Sequence, residues 1–284
     1  MEETAQGRSG EDHGLERGSI LIVTRNGLAL TKKAVASALA QDIPCDLLVV
    51  DNASTDGTPQ WLATKDITTI CLSKQESLSA CWNRGLKAFW SIGKKHCLVC
   101  NNDVELRGDA YRLLLAHEQF DFVTCVSVDK REQMGVAGDR DHLGEIYGEF
   151  PKAFRALSPR PHPDMSCFLI HRSVTDKIGW FDENYWPAFC EDLDIHIRMH
   201  NAGIDAMCID VPFLHHGSAT VKNADLAERS VITRGADRNR QYFFQKWGVR
   251  VGSAEYYALF QHEPRAAPSR GKDRDGAYTA TLDS

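Results

Sequence analysis

The chain has 284 residues, 43% apolar and 25% charged, a balance that supports one large α/β domain, or one with a small appendage, around a sizeable core. A net charge of −6 and a pI near 6.0 spread no basic field over the molecule, which argues against nucleic acid as the main partner. The cysteine count is odd, nine in all, and Cys71, Cys97, Cys100, Cys125, Cys167 and Cys208 sit inside apolar runs, so reduced thiols are expected rather than disulfides.

Met1–Gly18 is acidic and polar, without the basic and apolar regions of a signal peptide, and is expected to be disordered. No apolar run approaches the roughly 18 residues that cross a bilayer. A cytoplasmic protein with at most peripheral membrane contact is the expectation. From Ser19 onward the text alternates. Ser19–Val23 (SILIV) predicts a buried strand, Leu30–Gln41 a helix, Asp46–Val50 (DLLVV) a second strand, and Pro59–Thr64 a helix capped by Thr58. Thr68–Leu72 predicts a third strand, Ser79–Ile92 an amphipathic helix, and His96–Cys100 a fourth strand.

Short buried strands alternating with helices imply parallel βαβ units in a Rossmann-like, mostly parallel sheet. Ligands of such sheets bind beyond the carboxyl ends of the strands. Thr24-Arg25-Asn26, Asp51 and Asn101-Asn102-Asp103 are the polar residues found there, and they mark one rim. The stretch 129–164 carries glycines at 135, 138, 144 and 148 and prolines at 151, 159, 161 and 163, and reads as an insertion or lid on the acceptor side. Ser166–His171 predicts a strand, Ser173–Ile178 a short helix, Glu191–Asn201 a helix closed by Gly203, and Ala206–Val211 a last strand. An Arg-rich helix is expected over 224–247 and a disordered polar tail over 261–284.

Four elements can carry chemistry. Asn101-x-Asp103 at a strand tip can hold a hard divalent cation, although the same residues also serve simple turns. Asp51, directly on the rim, can accept hydrogen bonds from a base or a ribose, whereas Asp56-Gly57 reads as turn chemistry. Glu191-Asp192-Leu193-Asp194 opens a helix, whose N-terminus favours the ionised carboxylate that a general base requires. The pair His215-His216 after a strand can ligate a metal beside Asp103.

These elements, in this order, resemble the family 2 glycosyltransferases of the GT-A fold, and within them a rhamnosyltransferase-like bacterial group. The matching text is SILIVTRNG (19–27), DLLVVDNASTDGT (46–58), SLSACWNRGL (77–86), LVCNNDVEL (98–106), IGWFDENYW (178–186), FCEDLDIHIRMHNAG (189–203) and LHHGSAT (214–220). The resemblance implies a GT-A domain over 19–260 and inverting transfer from a UDP- or dTDP-sugar to an acceptor hydroxyl. It implies that Thr24, Asn26, Asp51, Asn83 and Asn102 hold the donor, and that Asp103, Asn101, His215 and His216 serve Mn²⁺ or Mg²⁺. Asp192 would be the base and Glu191 would position the acceptor, with Trp82 and Trp186 as candidates to stack on sugars. Two departures are visible: Asn101 stands where many relatives have aspartate, and Lys74–Ala80 lacks the usual glycines. The rival readings are a sugar-phosphate nucleotidyltransferase, for which one Arg and one Gly after the first strand are few, and a degenerate module that binds without catalysis. No P-loop and no G-x-S-x-G elbow is present.

Overall fold

The computed structural model describes residues 17–128, 154–155, 165–204, 206–217, 226–260, 270–272 and 278–280. Of the disorder expected over Met1–Gly18, residues 1–16 lie outside these residues, as do nearly all of the 129–164 insertion and most of the tail. Gly18 is instead ordered as the first residue of a strand, because its N–H donates to the Pro44 carbonyl.

Apolar runs become the strands. β1 (Gly18–Thr24), β2 (Cys45–Asp51), β3 (Thr68–Cys71) and β4 (His96–Asn101) pair in parallel in the order β3-β2-β1-β4. The crossovers between them are helices α1 (Leu28–Leu39), α2 (Thr58–Leu62) and α3 (Leu78–Ser91). The sheet continues through β8 (Cys167–His171), antiparallel to β4, then β6 (Phe122–Ser127), β9 (Ala206–His215) and the edge strand β5 (Val104–Leu106). β7 (Phe154–Arg155) pairs with β9 off this path. The mostly parallel sheet flanked by helices is the α/β architecture expected.

Residues Ile20 and Ile22 of β1 enter one core with α1, whereas Leu21 and Val23 enter the other with α3, as the two-residue period of a strand requires. Gly85 lets α3 approach β1: a Cβ there would lie 2.3 Å from Leu21 Cδ1. Ser77 caps α3 by accepting the Ala80 N–H. Helices α4 (Ala110–Leu115), α5 (Arg172–Ile178), α6 (Glu191–Asn201), α7 (Leu226–Trp247) and α8 (Ala254–Ala258) complete the domain, and β10 (Arg270–Lys272) pairs with β11 (Tyr278–Ala280).

Three further expectations need correction. Thr58 is the first residue of α2 rather than its cap, because Asp56 already supplies the acceptor for the Thr58 N–H. The last strand runs four residues past Val211 to His215, since β5 offers its far half an antiparallel partner. Cys71 is exposed rather than sheltered in an apolar run. Cys45, Cys71, Cys81, Cys97, Cys100, Cys125, Cys167 and Cys190 are free thiols. Cys97 and Cys100 are buried in β4 and enter opposite cores, and burial pushes both thiols well above the usual range.

Candidate active site

Parallel strands deliver their polar ends to one rim, and hydrogen bonds tie those ends together. Asn102, just past β4, donates from its side-chain amide to Thr24 Oγ1 (3.1 Å), to the Asn26 carbonyl (3.1 Å) and to Thr31 Oγ1 (3.2 Å). Asn26 Oδ1 in turn accepts the Thr55 N–H at 2.7 Å, and the Asn26 N–H donates to Ser54 Oγ at 2.7 Å. Ser54 also donates its hydroxyl to Asp51. Thr24, Asn26, Asp51 and Asn102 therefore belong to one network, although they come from three strand ends. Asp51 is fully buried, and burial, only partly offset by the Ser54 bonds, raises its carboxyl above the ordinary range.

Arg25 turns inward, donating to the Asn52 (3.0 Å) and Ala53 (2.8 Å) carbonyls, and so clamps the loop after β2. Asp56 accepts from the Leu28 N–H at the start of α1 and from the Thr58 N–H at the start of α2, the structural role its Asp-Gly turn suggested. Asn52 pairs its amide with both backbone groups of Glu76, which leads into α3.

Asp103, one residue beyond Asn102, is buried, and its Oδ2 lies 3.4 Å from His215 Nε2. The two histidines diverge, as neighbours on a strand end must. His216 Nε2 lies 2.5 Å from Glu105 Oε1, which also takes the Lys33 ammonium at 3.1 Å. His215 is therefore the imidazole that meets Asp103. Asn101 donates its backbone N–H to the Ser166 carbonyl as β4 ends. Among the described residues no group of three or more His, Cys, Asp or Glu gathers as a metal cage. One carboxylate and one imidazole, both hard or borderline donors, suit a divalent cation that takes its other ligands from a diphosphate.

The acid pair stands on a second loop. Phe189 (φ 84°) and Cys190 (φ 74°) take the left-handed conformation, uncommon for side-chain-bearing residues, and α6 starts at Glu191. Glu191 is buried; its carboxylate accepts the N–H groups of Phe189 and Glu191 itself, while its Oε2 has no partner among the described residues. Burial, reinforced by the charge of Asp192, raises the Glu191 carboxyl well above the usual range. Asp192 is half-buried and accepts the Leu193 N–H at 2.9 Å. Helix α3 touches this loop through the Leu78 N–H, which donates to the Pro187 carbonyl (2.8 Å). A backbone route thus runs from the Asp51 loop through residues 76–78 to the acid loop.

Helix α7 backs the same loop, a role its Arg-rich sequence gave no hint of. Gly235 lets it close in, since a Cβ there would fall 2.3 Å from Pro187 Cδ. Arg238 donates to the Trp186 carbonyl at 2.6 Å and lays its guanidinium over the Trp186 ring, while buried Asn239 donates to the Ala188 and Phe189 carbonyls (2.8 and 3.2 Å). Trp82 is core, packed on the rings of Phe168 and Phe181, so it offers no face to a sugar. Asn83 is also buried: it donates to the Phe181 carbonyl and Glu183 and accepts the Phe181 N–H, bracing the segment that leads to the acid loop. No hydrogen bond among the described residues joins it to the Thr24–Asn102 network.

Residues 19–179, more than half of the chain, match the sequence model described as glycosyl transferase family 2. A low-salt glycan biosynthesis hexosyltransferase, Agl10 of Haloferax volcanii, is 23% identical over 216 residues, covering 68% of this chain and 70% of the relative. An uncharacterised protein of Sinorhizobium fredii, y4gI, is 26% identical over 253 residues, which span 81% of this chain but 27% of that larger protein. Among solved structures, the mannosyltransferase PcManGT of Pyrobaculum calidifontis, in complex with GDP-Man and Mn²⁺, superposes with a TM-score of 0.51 at 15% identity, covering 86% of this chain and 78% of the other. Glucosyl-3-phosphoglycerate synthase of Mycobacterium tuberculosis, in complex with Mn²⁺, UDP and glucosyl-3-phosphoglycerate, gives 0.56 at 15% identity, covering 82% and 80%. At such identities the likeness is one of fold, and the fold is GT-A.

Proposed function

The chain belongs to glycosyl transferase family 2, and from that premise we propose that this glycosyltransferase moves a sugar with inversion from a UDP- or dTDP-sugar to an acceptor hydroxyl. The observation that carries the reading is the Asn102 amide. It gathers Thr24, Asn26 and, through Ser54, Asp51 into one preorganised rim at the carboxyl ends of parallel strands, where a nucleotide binds in such sheets.

In this reading Asp51 and Asn26 bind the nucleoside, and Asp103 with His215 would hold Mn²⁺ or Mg²⁺ against the diphosphate. The bound cation would neutralise charge on the leaving nucleoside diphosphate. Asp192, at the positive end of α6, accepts the proton of the acceptor hydroxyl. That oxygen forms a bond to the anomeric carbon as the bond from this carbon to the β-phosphate oxygen breaks on the opposite face. Glu191, buried beneath the loop and bonded to the Phe189 N–H, shapes the acid loop. Arg25 speaks against the nucleotidyltransferase alternative, because the one cation on the loop after β1 is bonded to backbone carbonyls rather than presented to a phosphate.

Thermal shift of the full chain with UDP-, dTDP- and GDP-sugars, with and without Mn²⁺, tests the reading. A pyrimidine diphosphate sugar should raise Tm in a Mn²⁺-dependent way, since a ligand that binds only the folded state stabilises it. A response to GDP-sugars alone would overturn the donor assignment, and no response to any of them would overturn the reading itself.

A further inference from the structure

Phe189 is a large apolar side chain left 42% exposed two residues before the acid pair, and nothing in the reaction above employs it. Its backbone is fixed from both sides. The N–H donates to the carboxylate of buried Glu191, and the carbonyl accepts the amide of fully buried Asn239. Together these bonds hold Phe189 at φ 84°, a conformation that costs a non-glycine residue about 1–2 kcal/mol. A glycine would suffice for the turn alone, so the position carries a ring at the expense of strain, the pattern seen where a side chain has a task.

Two other partly exposed aromatic rings each lie under a guanidinium. Arg238 lies over Trp186, and Arg250 lies over exposed Phe244, each with its guanidinium carbon within 6 Å of the ring centre. Among the described residues Phe189 makes no ring or cation contact of that kind. A single exposed phenyl two residues before the acid pair matches a sugar ring, which carries one small apolar C–H face and a polar rim. An acyl chain would call for a continuous apolar patch.

We infer that Phe189 is an acceptor-side platform that stacks on the C–H face of the ring whose hydroxyl Asp192 activates, so that the acceptor is itself a glycoside. This rests on the function proposed above and deepens it by naming the acceptor class.

The test uses the full chain with Mn²⁺, whichever nucleotide sugar gives the thermal shift, and octyl glucoside, octyl galactoside and octyl mannoside as acceptors, with octanol and glycerol as controls without a sugar ring. Wild type should transfer to at least one glycoside and to neither control. Phe189→Gly removes the ring and relieves the left-handed strain, so Tm should not fall, yet the acceptor KM should rise about tenfold, the upper range for an aromatic contact. Its KM for the donor should stay put, and Phe189→Trp should restore the acceptor KM. An unchanged acceptor KM in Phe189→Gly, or transfer to octanol as readily as to the glycosides, would overturn the platform while leaving the glycosyltransferase reading intact. A wild-type chain that binds and turns over no nucleotide sugar would instead sink that reading, and the platform with it.

Discussion

Asp194 Oδ1 and Lys246 Nζ meet at 2.6 Å, joining the helix that opens with the acid pair to the last turn of α7. Both are almost fully enclosed. Asp194 also takes Arg198 Nε at 2.8 Å and Trp247 Nε1 at 2.9 Å, and Lys246 reaches Asp182 at 2.5 Å with the rings of Tyr185, Tyr242 and Trp247 within 6 Å. Burial alone would raise the Asp194 carboxyl, but Lys246 and then Arg198 outweigh it and hold it at about 2. Of the three carboxylates clustered at the start of α6, the third is therefore a structural anchor.

Removing one member of such a group leaves a buried charge short of its partner. Lys246→Met should lower the unfolding free energy by about 3–5 kcal/mol. Chemical denaturation at pH 7 measures this directly. Adding Asp194→Asn to that variant should return part of the loss. A single-variant loss below about 1 kcal/mol, the range of exposed ion pairs, would mean that the latch contributes little.

Glu191 predicts the opposite dependence on pH. Its folded-state carboxyl lies above the value of 4.5 that applies in the unfolded chain, raised by burial and then by Asp192. Stability from this group is complete below that value and is lost as pH rises through the window up to the raised folded value, because the unfolded chain ionises first. Glu191→Gln, which keeps the shape and cannot ionise, should match wild type near pH 4 and be increasingly more stable toward pH 8. Tm measured across that range checks it, and parallel curves would show that Glu191 is ionised in the fold.

Much of this architecture was legible in the sequence, and the limits have physical causes. The apolar runs SILIV and DLLVV announce buried strands, and the helix over Glu191–Asn201 has the bounds its pattern gave. β5 is three residues long and α4 six, too short for a period to declare itself. β9 continues through Pro212, which sequence logic reads as a stop; the proline stands just past the register shift between Thr124 and Val126. The rim residues Thr24, Asn26, Asp51 and Asn102 could be named because strand ends of parallel sheets converge. Which histidine meets Asp103 could not, since a side-chain direction depends on the register of β5 against β9. The Asp194–Lys246 pair and the bracing of the acid loop by Asn239 join distant segments with no local signal.

The roles proposed for Asp192 and Asp103 separate in kinetics. Asp192→Asn keeps volume and hydrogen bonding yet cannot take a proton, so transfer should fall by at least about 100-fold while nucleotide affinity stays within about twofold. Asp103→Ala should act on binding, abolishing the Mn²⁺-dependent part of the thermal shift produced by the donor. Equal transfer by Asp192→Asn would remove it from the base role, and an intact Mn²⁺ response in Asp103→Ala would move the cation elsewhere.

The acid loop should depend on Asn239 more than on any residue of its own. Two backbone carbonyls, at Ala188 and Phe189, take their bonds from this one amide. Asn239→Asp preserves the volume but replaces the donor with an acceptor facing two carbonyls in a buried setting, a mismatch that costs about 1–3 kcal/mol, more if the group stays charged. Because the left-handed backbone at Phe189 and Cys190 persists only while its surroundings enforce it, the loop should relax and carry Asp192 out of place. Catalytic turnover should then fall more than the global stability, with nucleotide-induced stabilisation retained, since the Thr24–Asn102 rim is built from other strands. Hydrogen exchange should show faster labelling at residues 189–193 and unchanged protection in β1 and β2. Uniformly faster exchange over the whole domain would mean that Asn239 supports the fold at large rather than this loop.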